Sequence, residues 1–468
     1  MKRTPSQVQA SRRSLLKGAV AAAAAIGLTG CEGDVRSAAA APAAAGGAAA
    51  GAGGGGSAVT GFAAGTIPRG AVQASGRVLG ANDRIRIGVI GVGGQGFGAH
   101  VKGLKAKADA NNIELIACCD LYTPRLERAR KEMTIDGGHA IQADKDYRRL
   151  LDNKDIDAVV VATPEHWHAP ISLQAMDAGK HVYCEKPMCR YLDEAFQLID
   201  AQKRTGKVFQ LGIQYTSNPK FHAIGDFIRS GKIGPLVTGQ GSYCRNAGKK
   251  GEWNYDIDKD AGPGNLDWDS WQGTAPKRPW NDDSRERFFR YRKYWDYSAG
   301  ILGDLMPHKL GPFLIASGNP EFPKRVVSLG SRRISTDREV DDTVEVMAEF
   351  PSGWTMIFTG STVNEQGMPD IFRGFKATVS FSGEGAVAKP ERPFVDEVEE
   401  VEIFKGGDTG IDLHHKNWLE TIRGTTKINN CPVELGAKVQ SILAMAEMSS
   451  RTNRMMLFDE ATRSVRAG

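Results

Sequence analysis

The run RKYWDYSAGILGDLMPHKLG, residues 292–311, sets Asp304 four residues ahead of His308 in an apolar, glycine-dotted stretch. Four residues is about one helical turn, so a helix here projects both side chains from one face. An imidazole titrating near neutrality can accept a proton, and a neighbouring carboxylate can orient it or bind a hydroxyl. Lys186, within CEKP (184–187), adds an ammonium that can hydrogen-bond an oxygen on which negative charge develops. Pro187 disfavours helical geometry at Lys186 and holds it extended. The three suit oxidation of a secondary alcohol, in which a base takes the hydroxyl proton while hydride leaves the same carbon. An Asp/His pair at this spacing is otherwise a local polar contact. The glycine flank and Lys186 favour chemistry.

Hydride needs an acceptor, and the sequence offers a frame for one. RIRIGVI (84–90) reads as a β-branched strand running into GVGGQG (91–96) and then a helix. In that context Gly91 permits a tight turn, Gly93 lets backbone approach a pyrophosphate, and Gly96 allows close helix–strand packing. Gly94 and Gln95 complete the loop, and the helix N-terminus faces the phosphates. A second strand, IELIACCD (113–120), ends in Asp120, whose carboxylate would accept ribose hydroxyls and repel a 2′-phosphate. NAD is therefore expected over NADP, with nearby Arg125 working against that preference. DAVVVATP, KHVYCEKP and KVFQLGIQY continue an alternation of strands and helices that predicts a parallel doubly wound sheet. Ligands bind outside the carboxyl ends of such strands. Gly91, Asp120, Thr163–Pro164, Glu185–Lys186 and Gln214 all fall there.

From about residue 213 the pattern changes to consecutive strands, among them 325–334, 342–350 and 354–362, and predicts an open, mainly antiparallel sheet. The expected fold is thus α/β: a dinucleotide-binding domain (82–212) and a second α/β domain for substrate and oligomerisation (213–455), followed by a tail (456–468). An aromatic-rich insertion, 243–297, carries Trp253, Trp268, Trp271, Trp280 and Trp295. Such rings can pack on pyranose C–H faces or form the core of a long loop. Tyr215 and Trp295 join Lys186, Asp304 and His308 as candidate substrate contacts. His166 and His168 have HxH spacing without a further legible ligand cluster, so no metal is expected. Seven cysteines in 468 residues do not make a disulfide scaffold, and Cys118 and Cys119 read as buried thiols. His414 and His415 read as structural.

The N-terminus reads as an address. Twin arginines in SRRSLLKG (11–18) precede a short apolar run, and LTGC (28–31) resembles a lipobox, making Cys31 the candidate lipidated residue. Residues 1–30 are expected to be a Tat signal and 31–81 an Ala/Gly-rich tether, giving a periplasmic or cell-envelope location. The formal charge of +5 is carried entirely by the five basic residues before Cys31. Without them the chain is neutral and has no nucleic-acid footprint.

GVGGQG, TPEHWH, CEKP and AGILGDLMPH, in that order, resemble the glucose–fructose oxidoreductase/inositol dehydrogenase/MocA (Gfo/Idh/MocA) family over roughly residues 82–450, most closely its exported, sugar-active branch. The resemblance implies Lys186 as catalytic lysine, Asp304 and His308 on a GxxxDxxxH helix, His168 beside the cofactor, a carbohydrate or polyol substrate, and a homo-dimer or homo-tetramer. Pro307 and Pro312 bracket the histidine, and each removes a helical N–H. The expected functions are an NAD-dependent sugar, polyol or glycoside oxidoreductase, a glycosidase or lyase that oxidises its substrate transiently, or a non-catalytic sensing lipoprotein. Because Tat export carries folded proteins, the cofactor is expected to be loaded before export and held through redox-neutral turnover.

Overall fold

The computed structural model describes residues 83–135, 138–407 and 410–468. The twin arginines, Cys31 and the Ala/Gly-rich stretch lie outside the described residues. Six strands, β1 (Ile85–Ile90), β2 (Ile113–Cys119), β3 (Gln142–Asp144), β4 (Ala158–Val161), β5 (His181–Glu185) and β6 (Phe209–Gly212), form a sheet ordered β3-β2-β1-β4-β5-β6. Every pairing in it is parallel. The β-branched runs IRIGVI and AVVV are buried along almost their whole length, as a sheet covered on both faces requires. β3 is a three-residue strand of sequence QAD with no apolar signature, and only its neighbour β2 defines it.

Part of the cover comes from late in the chain. Helix Ile411–Arg423 places Trp418, Leu419 and Ile422 in one cluster with Ile85, Ile87 and Val101. Assigning everything after residue 213 to the second domain therefore misplaces this helix, because the parallel sheet needs it to close one face.

The second sheet has eleven strands among the described residues. They are β7 (Leu236–Asn246), β8 (Arg325–Ser331), β9 (Thr343–Glu349), β10 (Thr355–Ser361), β11 (Val363–Asn364), β12 (Ile371–Gly374), β13 (Ala377–Ser382), β14 (Gly385–Pro390), β15 (Val401–Phe404), β16 (Met456–Asp459) and β17 (Ser464–Ala467). The order is β15-β14-β13-β12-β7-β10-β9-β8-β16-β17, with β11 on β7, and only β7–β10 is parallel. Residues 456–468 are thus not a tail. They form a hairpin that pairs with β8 through Met456, which is fully buried. One face of this sheet packs on helices Pro219–Arg229, Pro307–Ala316 and Val433–Thr452. Val237, Val327, Leu329 and Met347 are exposed.

Candidate active site

The glycine-rich turn is built by close packing. Gly91 adopts φ +85°, and a Cβ there would lie 2.7 Å from the backbone of Ala162. A Cβ on Gly96 would sit inside the Gly91 carbonyl oxygen. Gly93 and Gly94 instead face a cleft of about 2240 Å³, and around Gly94 there is open space where a side chain would stand. That cradle, at the carboxyl ends of a parallel sheet, fits a dinucleotide pyrophosphate. Asp120 is buried beside it, accepting hydrogen bonds from Val92 N (3.0 Å) and Tyr122 N (2.9 Å). Burial pushes its pKa up and the nearby Arg125 charge pulls it back. Asp120 therefore fastens the glycine turn to β2, and it lines the same cleft. The Arg125 guanidinium stacks on Phe288 at 4.7 Å and flanks Gly93.

At the far end of the cleft Lys186 meets Asp304. Lys186 Nζ donates to Asp304 Oδ1 at 2.7 Å and to its backbone carbonyl at 2.5 Å. Arg292 Nε lies 2.8 Å from the same Oδ1, and Trp253 Nε1 donates to Oδ2 at 2.8 Å. Burial alone would raise the Asp304 pKa, but the Arg292 and Lys186 cations outweigh it and hold the carboxyl well below its usual range.

The single helix expected through Asp304 and His308 is broken. Ile301–Asp304 and Pro307–Ala316 are separate helices, because Pro307 lacks an N–H and starts a new one. Asp304 consequently bonds Lys186, Arg292 and Trp253 rather than His308. The His308 ring lies against Tyr215 (6.0 Å between centroids) and Tyr243 (6.4 Å), and its Nδ1 is buried without a partner. Burial first, and the Lys186 charge second, push its pKa down to about 3. It is a neutral imidazole at any ordinary pH.

Comparison with known proteins fits this geometry. Residues 85–213 match the oxidoreductase family's NAD-binding Rossmann fold, and residues 237–392 match the same family's C-terminal alpha/beta domain. The chain belongs to the Gfo/Idh/MocA oxidoreductase family. Among curated relatives, a glycosyl hydrolase family 109 protein of Shewanella baltica is 31% identical over 184 residues, 38% of each chain. One of Shewanella pealeana is 25% identical over 333 residues, 68% of this chain and 69% of that one. The first matches thus span only about two fifths of those relatives. An oxidoreductase domain protein from Kribbella flavida shares the fold with TM-score 0.61 and 21% identity, covering 81% of this chain and all of that one. A levoglucosan dehydrogenase in complex with NADH gives 0.59 and 18%, covering 82% and 99%. An aldose–aldose oxidoreductase from Caulobacter crescentus gives 0.58 and 20%, covering 80% and 100%. NAD is the cofactor of this Gfo/Idh/MocA fold, and the cleft carries the glycine cradle it requires.

Other sequence candidates in this family member fall in different places. Gln95, Thr163, Pro164, His168, Glu185 and Gln214 line the cleft. His168 bridges the backbone carbonyls of Thr163 (2.7 Å) and Pro187 (2.6 Å), tying the β4 and β5 ends together. Glu185 accepts from Gln95 (3.0 Å) and lies 2.8 Å from His100, whose other nitrogen meets His415 at 3.1 Å. Trp295 does not reach the cleft. Its ring lies under the Arg451 guanidinium at 5.1 Å and packs on the core, because its segment is pinned by Glu339 and Arg190. Tyr215 is 40% exposed and touches the site only through His308. Trp268 and Trp271 stack at 5.0 Å inside a cluster with Phe288 and Tyr297, so those rings serve as the insertion's own core. Sequence reasoning missed Arg292 and the Trp253 contact. The only signal for Arg292 was its place twelve residues before Asp304 in the same motif.

Proposed function

We propose that this chain oxidises a secondary hydroxyl of a sugar, polyol or glycoside with NAD, retaining the cofactor and returning the hydride within one site. The observation that carries the reading is the Lys186–Asp304 pair, at 2.7 Å, beside the partnerless His308 nitrogen in the cleft that also holds the glycine cradle. NAD, when bound, supplies the hydride acceptor. Lys186 then hydrogen-bonds the substrate oxygen as negative charge gathers on it. His308 lines the cleft as a neutral imidazole with a lone pair to offer, and is the group placed to take the hydroxyl proton. Asp304, fixed as an anion, orients the Lys186 ammonium through its hydrogen bond and offers Oδ2 to a second substrate hydroxyl. Tyr243, Tyr255 and Tyr291 line the same cleft near Asp304 and are candidate substrate contacts.

A second reading, a glycosidase working through transient oxidation, is favoured by the glycosyl hydrolase family 109 relatives. Mass spectrometry of products from free sugars and aryl glycosides separates the two. A ketosugar supports the first, aglycone release without net oxidation supports the second, and neither product from any substrate rejects both. Export by Tat, with a lipid on Cys31, remains our reading of the leader, and Cys31→Ser should abolish fatty-acid labelling. A dimer or tetramer is proposed through the sheet face that exposes Val327, Leu329 and Met347.

A further inference from the structure

Glu165 follows directly after Thr163–Pro164 at the end of β4, yet it does not line the cleft and is only 2% exposed. Its carboxylate reaches across to the segment that carries Asp304. Ser298 Oγ donates to Oε1, and the backbone N–H of Ala299 donates to Oε2 at 3.0 Å. Ser298 Oγ in turn accepts from Gly300 N at 3.1 Å, and Asp304 N donates back to Gly300 O at 2.8 Å. Hydrogen bonds thus tie the β4 end to Gly300, and a further one ties Gly300 to the Asp304 backbone. The glycines before Asp304 follow from it. Gly300 turns with φ +57°, and a Cβ on Gly303 would stand 2.7 Å from Glu165 Oε2.

We propose that Glu165 is a positioning residue that sets the Asp304 segment at a fixed distance from the nicotinamide end of the parallel sheet. Hydride transfer tolerates little error in that distance, and a shift of about 1 Å can lower the rate about 10²-fold. The proposal rests on the oxidoreductase reading for its kinetic arm only.

The test uses the full mature protein carrying Glu165→Gln, Glu165→Ala, Gly303→Ala and the double variant Glu165→Ala/Gly303→Ala. Glutamine offers one acceptor where two donors converge, and the Gly303→Ala methyl pushes on the carboxylate from the other side. Each single variant should lower kcat about 10²-fold while the NAD(H) recovered per chain stays that of the parent, and Glu165→Ala, which leaves the Ser298 and Ala299 donors unpaired, should also lower the melting temperature. The double variant should be no worse than Glu165→Ala, since two changes at one contact are not additive. Additive losses, or kcat within threefold of the parent in both Glu165 variants, overturn the proposal. A crystal structure of Glu165→Ala supplies the arm independent of turnover: Asp304 should move relative to β4, and an unmoved Asp304 overturns the proposal whatever the activity. An unmodified protein inactive on every substrate rejects the oxidoreductase reading instead and leaves this structural arm to decide.

Discussion

Asp304 Oδ1 accepts from Lys186 and is ion-paired with Arg292, and Oδ2 accepts from an indole, so the carboxyl cannot act as a base and His308 is left for that task. Lys186→Ala and His308→Ala should each lower turnover about 10²-fold or more while NAD binding, followed by nicotinamide fluorescence, persists. Near-normal turnover in either would move the chemistry elsewhere. Asp304→Asn should weaken substrate binding and turnover together, because it removes the charge that offsets Lys186 and Arg292. The positions of Lys186, Asp304 and His308 were legible in the sequence through their motifs. Their pairing was not: Asp304 takes its partners from residues 118, 51 and 12 positions away, and helical spacing says nothing about such partners.

Among the elements, the glycine turn was legible because its constraints are local: a positive φ at Gly91 and no room for a Cβ at Gly96. Asp120 was read as a ribose ligand, and its two backbone hydrogen bonds add a second duty. Asp120→Ala should therefore weaken binding of both NAD and NADP and narrow the preference between them, as measured by titration with each dinucleotide. A loss confined to NAD would show that Asp120 does not hold the turn. Asp304 and His308 were read on one helix with Pro307 and Pro312 as its weak points, and the structure interrupts it at Pro307, where the missing N–H outweighs an apolar run that reads as continuous. The insertion's tryptophans carried two equal readings from sequence, and Trp268 and Trp271, buried and stacked on each other, support packing for those two.

For the molecule as a whole, buried histidines set the acid limit. Burial lowers His166, His181 and His414 to about 4 and His308 to about 3. An unfolded chain protonates these groups near 6.5, so their contribution is complete above that pH and is lost as pH falls from 6.5 towards 4. Glu165 and Glu194, raised to about 7 by burial, act in the opposite sense, favouring the folded state as pH falls from 7 to 4.5. With His168 and His415 also lowered, six histidines act against the raised Asp120, Glu165, Asp193, Glu194 and Asp341, and predict a melting temperature lower at pH 4.5 than at pH 7. A flat profile would contradict the burial of the neutral imidazoles. Cofactor retention belongs to the same scale. Protein purified without added dinucleotide and then denatured should release NAD(H) close to one per chain. Empty protein whose activity needs stoichiometric soluble NAD would overturn redox-neutral turnover.

The sequence by itself determined the parallel sheet, the glycine turn, the change to antiparallel strands and the candidate lysine, aspartate and histidine. Each of these is written in short-range periodicity or in a backbone constraint on one or two residues. Only the tertiary structure decided that Arg292 and Trp253 converge on Asp304 and that Glu165 braces it from the other sheet. It alone returned helix Ile411–Arg423 to cover β1 and made the last residues a hairpin on β8. Those contacts join residues tens to hundreds of positions apart. They depend on which faces remain to be buried once the two sheets have formed, and no local pattern encodes that.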